Sequence, residues 1–166
     1  MLDINFSGGF SELSKVLSHF PDAVCIIRGD DAHPLLAGIV MLFDTEYGTI
    51  IAAEIKGLPI KPACESGVFG FHIHSGTQCT GNYTDPFADA LTHYNPYSCA
   101  HPHHAGDLPP LFGNNGYAFS MFLSNRFSVY ELIGRTVIIH SAPDDFTSQP
   151  AGNSGNKIAC GVIVVS

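Results

Sequence analysis

Past Pro21 the hydrophobic positions of the chain recur with a period of two. The runs AVCIIRG (23–29), LAGIVMLFD (36–44), TIIAAEIKG (49–57) and VFGFHIH (68–74) are rich in β-branched and aromatic residues. YAFSMFL (117–123), TVIIHS (136–141) and ACGVIVV (159–165) follow the same pattern, and turn residues such as Glu46-Tyr47-Gly48 separate neighbouring runs, so each reads as a strand. One segment alone has a helical spacing: Ser11 to His19, with Leu13, Val16 and Leu17 on one face and Pro21 as its stop. Two long stretches, Ser75 to Gly116 and Ala142 to Lys157, have no period; structureless segments of that length in a domain are functional or disordered. Many short strands without alternating helices predict an antiparallel sandwich or barrel. The 166 residues suffice for a single domain, 1–166, with a helical extension at 1–21 and the β domain over 22–166.

Composition narrows the function. A hydrophobic share of 45% against 13% charged residues is that of a globular chain. The net charge of −8 argues against nucleic acid as a partner, because phosphates need a basic face. No apolar run approaches the roughly twenty residues of a membrane span, so no membrane role is expected. The N-terminal sequence lacks a basic stretch followed by an apolar core, which predicts a cytoplasmic protein; a chain trimmed at its start would instead be periplasmic or extracellular. The five cysteines are an odd number, leaving at least one unpaired within the chain.

The candidate chemistry lies in the histidines. Seven of the nine fall in three places: His72 and His74 in one strand, His140 at the end of another, and His93, His101, His103 and His104 in the first long loop. Residues two apart in a strand project from one face, so His72 and His74 can present two imidazoles to one ion, although any alternating strand produces the same spacing. The loop HYNPYSCAHPHHAGD (93–107) adds Asp107, giving the mixed imidazole and carboxylate set that zinc favours; a solvated His-rich loop is the bland alternative. The sequence contains no HExxH, P-loop, GxSxG or GxGxxG motif. A metalloprotein binding zinc or copper is therefore the reading that the residues support.

The stretches AVCIIRGD, GFHIH, HYNP, HAGDL, GRTVIIH and GNSGNKIACGVI, in that order over roughly residues 22 to 163, resemble the copper/zinc superoxide dismutase family. The resemblance implies an all-β, Greek-key β-sandwich, a flattened eight-stranded barrel with long metal-binding loops. It implies copper held by His72, His74, His93 and His140, and zinc held by His93, His101, His104 and Asp107, with His93 as the bridge and His103 as a bystander. Asp144 matches the outer carboxylate linking histidines of the two metals, and Cys79 and Cys160 match the family's disulfide. The implied activity converts superoxide to oxygen and hydrogen peroxide, with His93 donating a proton and Lys157 standing where the family has its active-site arginine.

The departures carry expectations of their own. The zinc loop is short, with Pro102 and His103 alone between His101 and His104, so His103 or Cys99 could replace a neighbour as ligand. Lysine at 157 offers a mobile point charge in place of a planar fork, so superoxide capture should be slower than is usual in the family and strongly dependent on ionic strength. Cys64 and Cys99 flank the metal region, which leaves open a second disulfide between them or two free thiols. The rearranged segment TGNYTDPFADALT leaves a homodimer open without indicating an interface. A copper- or zinc-binding module without useful turnover is the alternative function, and the four copper positions favour the enzyme.

Overall fold

The computed structural model describes residues 14, 16, 18–65 and 67–166. Among the described residues nine strands form: β1 (Ala23–Gly29), β2 (Ala37–Thr45), β3 (Gly48–Lys56), β4 (Val68–Phe69), β5 (Phe71–His74), β6 (Leu111–Phe112), β7 (Tyr117–Ser124), β8 (Thr136–His140) and β9 (Lys157–Val165). Seven of them make one antiparallel sheet in the order β5-β8-β9-β1-β2-β3-β7. The other two, β4 and β6, pair with each other, and β6 lies against β7. Because β4 continues into β5 through Gly70, this short pair brings the two edges of the curled sheet towards one another, and the sandwich results.

The period-two runs explain the layers. Ala23, Cys25 and Ile27 of β1, Val40 and Leu42 of β2, and Ile51, Ala53 and Ile55 of β3 point inward into one core with Ala159 and Ile163 of β9. The opposite face of β3 is also apolar, and Ile50 and Ala52 pack there with Phe43 and with Val16. Ser14 and Val16 are helical; the rest of the helix expected over Ser11 to His19 lies outside the described residues up to Leu17 and ends by His19.

Two differences from the sequence expectation bear on the site. VFGFHIH forms two strands: Gly70 separates them, its N–H donating to Ala142 O (2.8 Å) while its own carbonyl accepts from His140 N (2.8 Å). The long loop 75–116 also contains a short 3-10 turn, Ala88–Ala90, and strand β6. A helical turn, α1 (Val129–Leu132), was not expected; the Glu131 carboxylate accepts from the N–H and hydroxyl of Ser128, both at 2.8 Å.

Candidate metal centre

Strand alternation sorts β5 and β8 by face. Phe71, Ile73, Val137 and Ile139 enter the core, which leaves His72, His74, Thr136 and His140 on the other face, beneath the two long loops. The free edge of β5 is stitched to the first loop: Tyr94 N donates to Ile73 O (2.8 Å) and Ile73 N to Gly106 O (2.9 Å). Main-chain bonds of this kind fix the register, and they set His93 beside His74 and Asp107 beside His72.

Two groups of side chains result, all seven residues buried: His72, His74, His93 and His140, and His93, His101, His104 and Asp107. Within each group one donor atom from every residue lies within 4.8 Å of the others, and His93 belongs to both.

The ring nitrogens show what the first group is built to hold. His74 Nδ1 donates to Leu91 O (3.0 Å) and His140 Nδ1 to Gly155 O (3.2 Å). A carbonyl can only accept, so each Nδ1 carries the proton and each neutral ring presents a bare lone pair at Nε2. Those two Nε2 atoms face each other at 3.3 Å. Two lone pairs at that distance repel unless a cation lies between them. His72 Nε2 donates to Asp144 Oδ2 at 2.7 Å, and its Nδ1 is buried without a partner. His93 Nε2 is likewise buried and unpartnered, on the side facing this group.

The second group follows the same logic. His101 Nε2 donates to Asp144 Oδ1 at 2.9 Å. Its Nδ1 lies 3.1 Å from Asp107 Oδ2 but has no hydrogen-bonding alignment, so both atoms aim at a common point rather than at each other. His93 Nδ1 approaches Asp107 Oδ1 (2.7 Å) and His104 Nδ1 (3.4 Å). Buried polar atoms are normally satisfied, and three orphaned ring nitrogens converging on two points fit two cations. Imidazole and carboxylate with borderline to hard character suit copper and zinc.

Electrostatics favours the ligating state. Burial lowers His72, pushes His74 well below the usual imidazole range and brings His140 down to about 3, so these rings stay neutral with a lone pair to give. Burial alone would raise the Asp144 carboxyl, but the His72 ring, the Phe146 N–H and the His101 ring outweigh it and draw the value to about 2. Asp107 is lowered too: burial opposes ionisation, and the hydrogen bond from His93 with the charges of the surrounding rings prevails.

His103 is exposed and outside both groups, and Cys99 joins neither. Cys79 and Cys160 form the disulfide, whereas Cys64 and Cys99 are free thiols and do not form the second bond considered above. Lys157 lines a cleft of about 300 Å³ over His74, His93 and His140. Two supports, Gln149 and Arg126, had no signal in the sequence, and a third, Gly152, lies in the GNSGNKIACGVI stretch. Gln149 pairs with the main chain of His101 through both amide atoms (3.0 and 2.7 Å), joining the two loops. Arg126 donates to His104 O (3.2 Å) and Asp107 O (3.3 Å). Gly152, at φ +66°, leaves no room for a Cβ against the Asp144 carboxylate and the His101 ring.

The family described as copper/zinc superoxide dismutase (SODC) matches residues 36–163. The chain is 36% identical over 141 residues to a Cu-Zn superoxide dismutase of Aquifex aeolicus, covering 76% of this chain and 78% of that protein. It is 31% identical over 157 residues to one of Deinococcus radiodurans, covering 82% of each. A third relative, from Legionella pneumophila, is 33% identical over 139 residues, or 78% of this chain and 79% of its own length.

Proposed function

This chain belongs to the copper/zinc superoxide dismutase family, and from that premise we propose how its own side chains divide the work. The activity is the conversion of two superoxide anions and two protons to one oxygen and one hydrogen peroxide. His72, His74, His93 and His140 hold copper, and His93, His101, His104 and Asp107 hold zinc. Bound copper supplies a one-electron carrier, and zinc, whose d shell is full, supplies a fixed charge.

His93 alone offers a ring nitrogen to each group, so it holds the two sites in register and is the proton carrier: Nε2 takes up a proton and returns it to the reduced product. Asp144 ties His72 to His101 through one carboxylate, fixing both rings with their Nδ1 atoms turned inward. The Leu91 and Gly155 carbonyls fix His74 and His140 the other way round, holding Nδ1 and turning Nε2 inward. Lys157 supplies the positive charge at the cleft, and the small anion enters beside His140.

The facing Nε2 lone pairs of His74 and His140 are the observation that carries this reading. Superoxide consumption by the copper- and zinc-loaded protein tests it. Wild type consumes superoxide and His140→Ala loses at least a hundredfold of the rate. Wild type that binds zinc but consumes no superoxide after copper loading contradicts it.

A further inference from the structure

Lys157, the first residue of β9, is the one lysine or arginine among the described residues lining the cleft over His74, His93 and His140. It is not free. Its ammonium lies 2.7 Å from Asp85 Oδ2 and donates to Phe87 O at 3.0 Å. Both partners sit in the loop that the Cys79–Cys160 disulfide fastens to β9, and Phe87 is buried there with Ala90, Ile138 and Cys160. The clamp is therefore built on an anchored element, not on a passing surface contact.

We propose that Asp85 is a positioning residue that clamps Lys157 and offsets its charge, and so sets how strongly the cleft attracts a small anion. The inference rests on the reading of Lys157 as the cation that the anion meets. Lysine is a point charge on a flexible four-carbon stem, and without a partner its ammonium would sample the whole rim. Two of its three donors go to the loop, leaving one for an incoming anion. A carboxylate 2.7 Å from the ammonium turns a monopole into a dipole, whose pull fades faster with distance. The Lys157 side chain is 14% exposed and that of Asp85 is 39% exposed, so water screens the carboxylate more than the cation and the offset is partial. Asp85 thus trades long-range attraction for a fixed ammonium at short range.

Asp85 Oδ1 also accepts from Phe87 N at 3.0 Å, a turn contact that an amide oxygen can keep, so Asp85→Asn removes the charge without removing the turn. Azide is the probe, titrated into the copper- and zinc-loaded protein and followed by the visible absorption of copper, at low and high ionic strength. Asp85→Asn should bind azide about 3- to 10-fold more tightly at low salt. The gain should shrink at high salt and vanish in the Asp85→Asn/Lys157→Ala double variant. Lys157→Ala alone should weaken azide binding. If it does not, the reading of Lys157 fails and the clamp falls with it. If Lys157→Ala weakens binding while Asp85→Asn leaves it unchanged or weaker, the clamp alone is wrong. A gain that persists in the double variant overturns it equally.

Discussion

At the scale of single residues the site is a problem in tautomers. His72, His74 and His140 each have one ring nitrogen committed to a carbonyl or carboxylate, and the remaining nitrogen is left for the ion. Asp144 makes one of these commitments, to His72, and a like one to His101 of the zinc group, so Asp144→Asn should weaken metal binding about 10- to 100-fold, read by competition with a chelator of known affinity. Unchanged affinity would mean that the rings are held by packing alone. Burial of the rings also fixes a sign for stability against pH. His72, His74 and His140 all titrate below their ordinary value near 6.5, so in the metal-free protein the unfolded chain binds protons that the folded one refuses. Stability is then full above pH 6.5 and falls below it, for His140 down to about pH 3, by roughly 1.4 kcal/mol per pH unit for each ring that stays neutral. Thermal melts of the metal-free protein from pH 7.5 to 4.5 check this, and a midpoint that does not move would contradict it. The two clusters were legible because the residue types are rare and grouped; the choice between His101, His103 and His104 was not legible from the residues themselves, since it depends on which side chains the loop turns inward.

Among the elements, the strands were legible from their alternation, and β1 runs over the residues that the pattern indicates. Strand β5 shows why the pattern also reaches the site: the same alternation that sends Phe71 and Ile73 into the core places His72 and His74 together on the other face. The break at Gly70 was hidden, because an apolar run on both sides of a glycine reads as one strand until its partners are known. The supports of the loops were hidden more deeply. Gln149 reaches the main chain of His101 across 48 positions, and no local pattern encodes such a contact. The disulfide is the strongest long-range tie, closing 81 residues with its Cα atoms 5.6 Å apart. In the loop-entropy picture it stabilises the fold by roughly 4–5 kcal/mol. Denaturant unfolding of Cys79→Ser against wild type should show a loss of that order, accompanied by weaker copper retention because the loop beside His93 is released. An unchanged midpoint would mean that the small core around Phe87 and Ile138 holds the loop by itself.

The whole molecule sets an acidic chain, with a net charge of −8, around a cleft that must admit an anion. Any positive potential at the cleft is therefore local, and Lys157, which lines it, sits within a pair with Asp85. Among the described residues no helix is long and apolar enough to cross a membrane. What the fold contributes is convergence: a sheet edge, two loops and one carboxylate bring residues 72 to 144 around a single shared imidazole. The division of that cluster into two sites joined at His93 is the central claim, and metal content tests it most directly. After loading with both metals and removal of excess, elemental analysis should find about one copper and one zinc per chain in wild type. His140→Ala should lose copper and keep zinc, whereas Asp107→Ala should lose zinc. A single metal in wild type, or equal loss of both metals in His140→Ala and Asp107→Ala, would contradict the division.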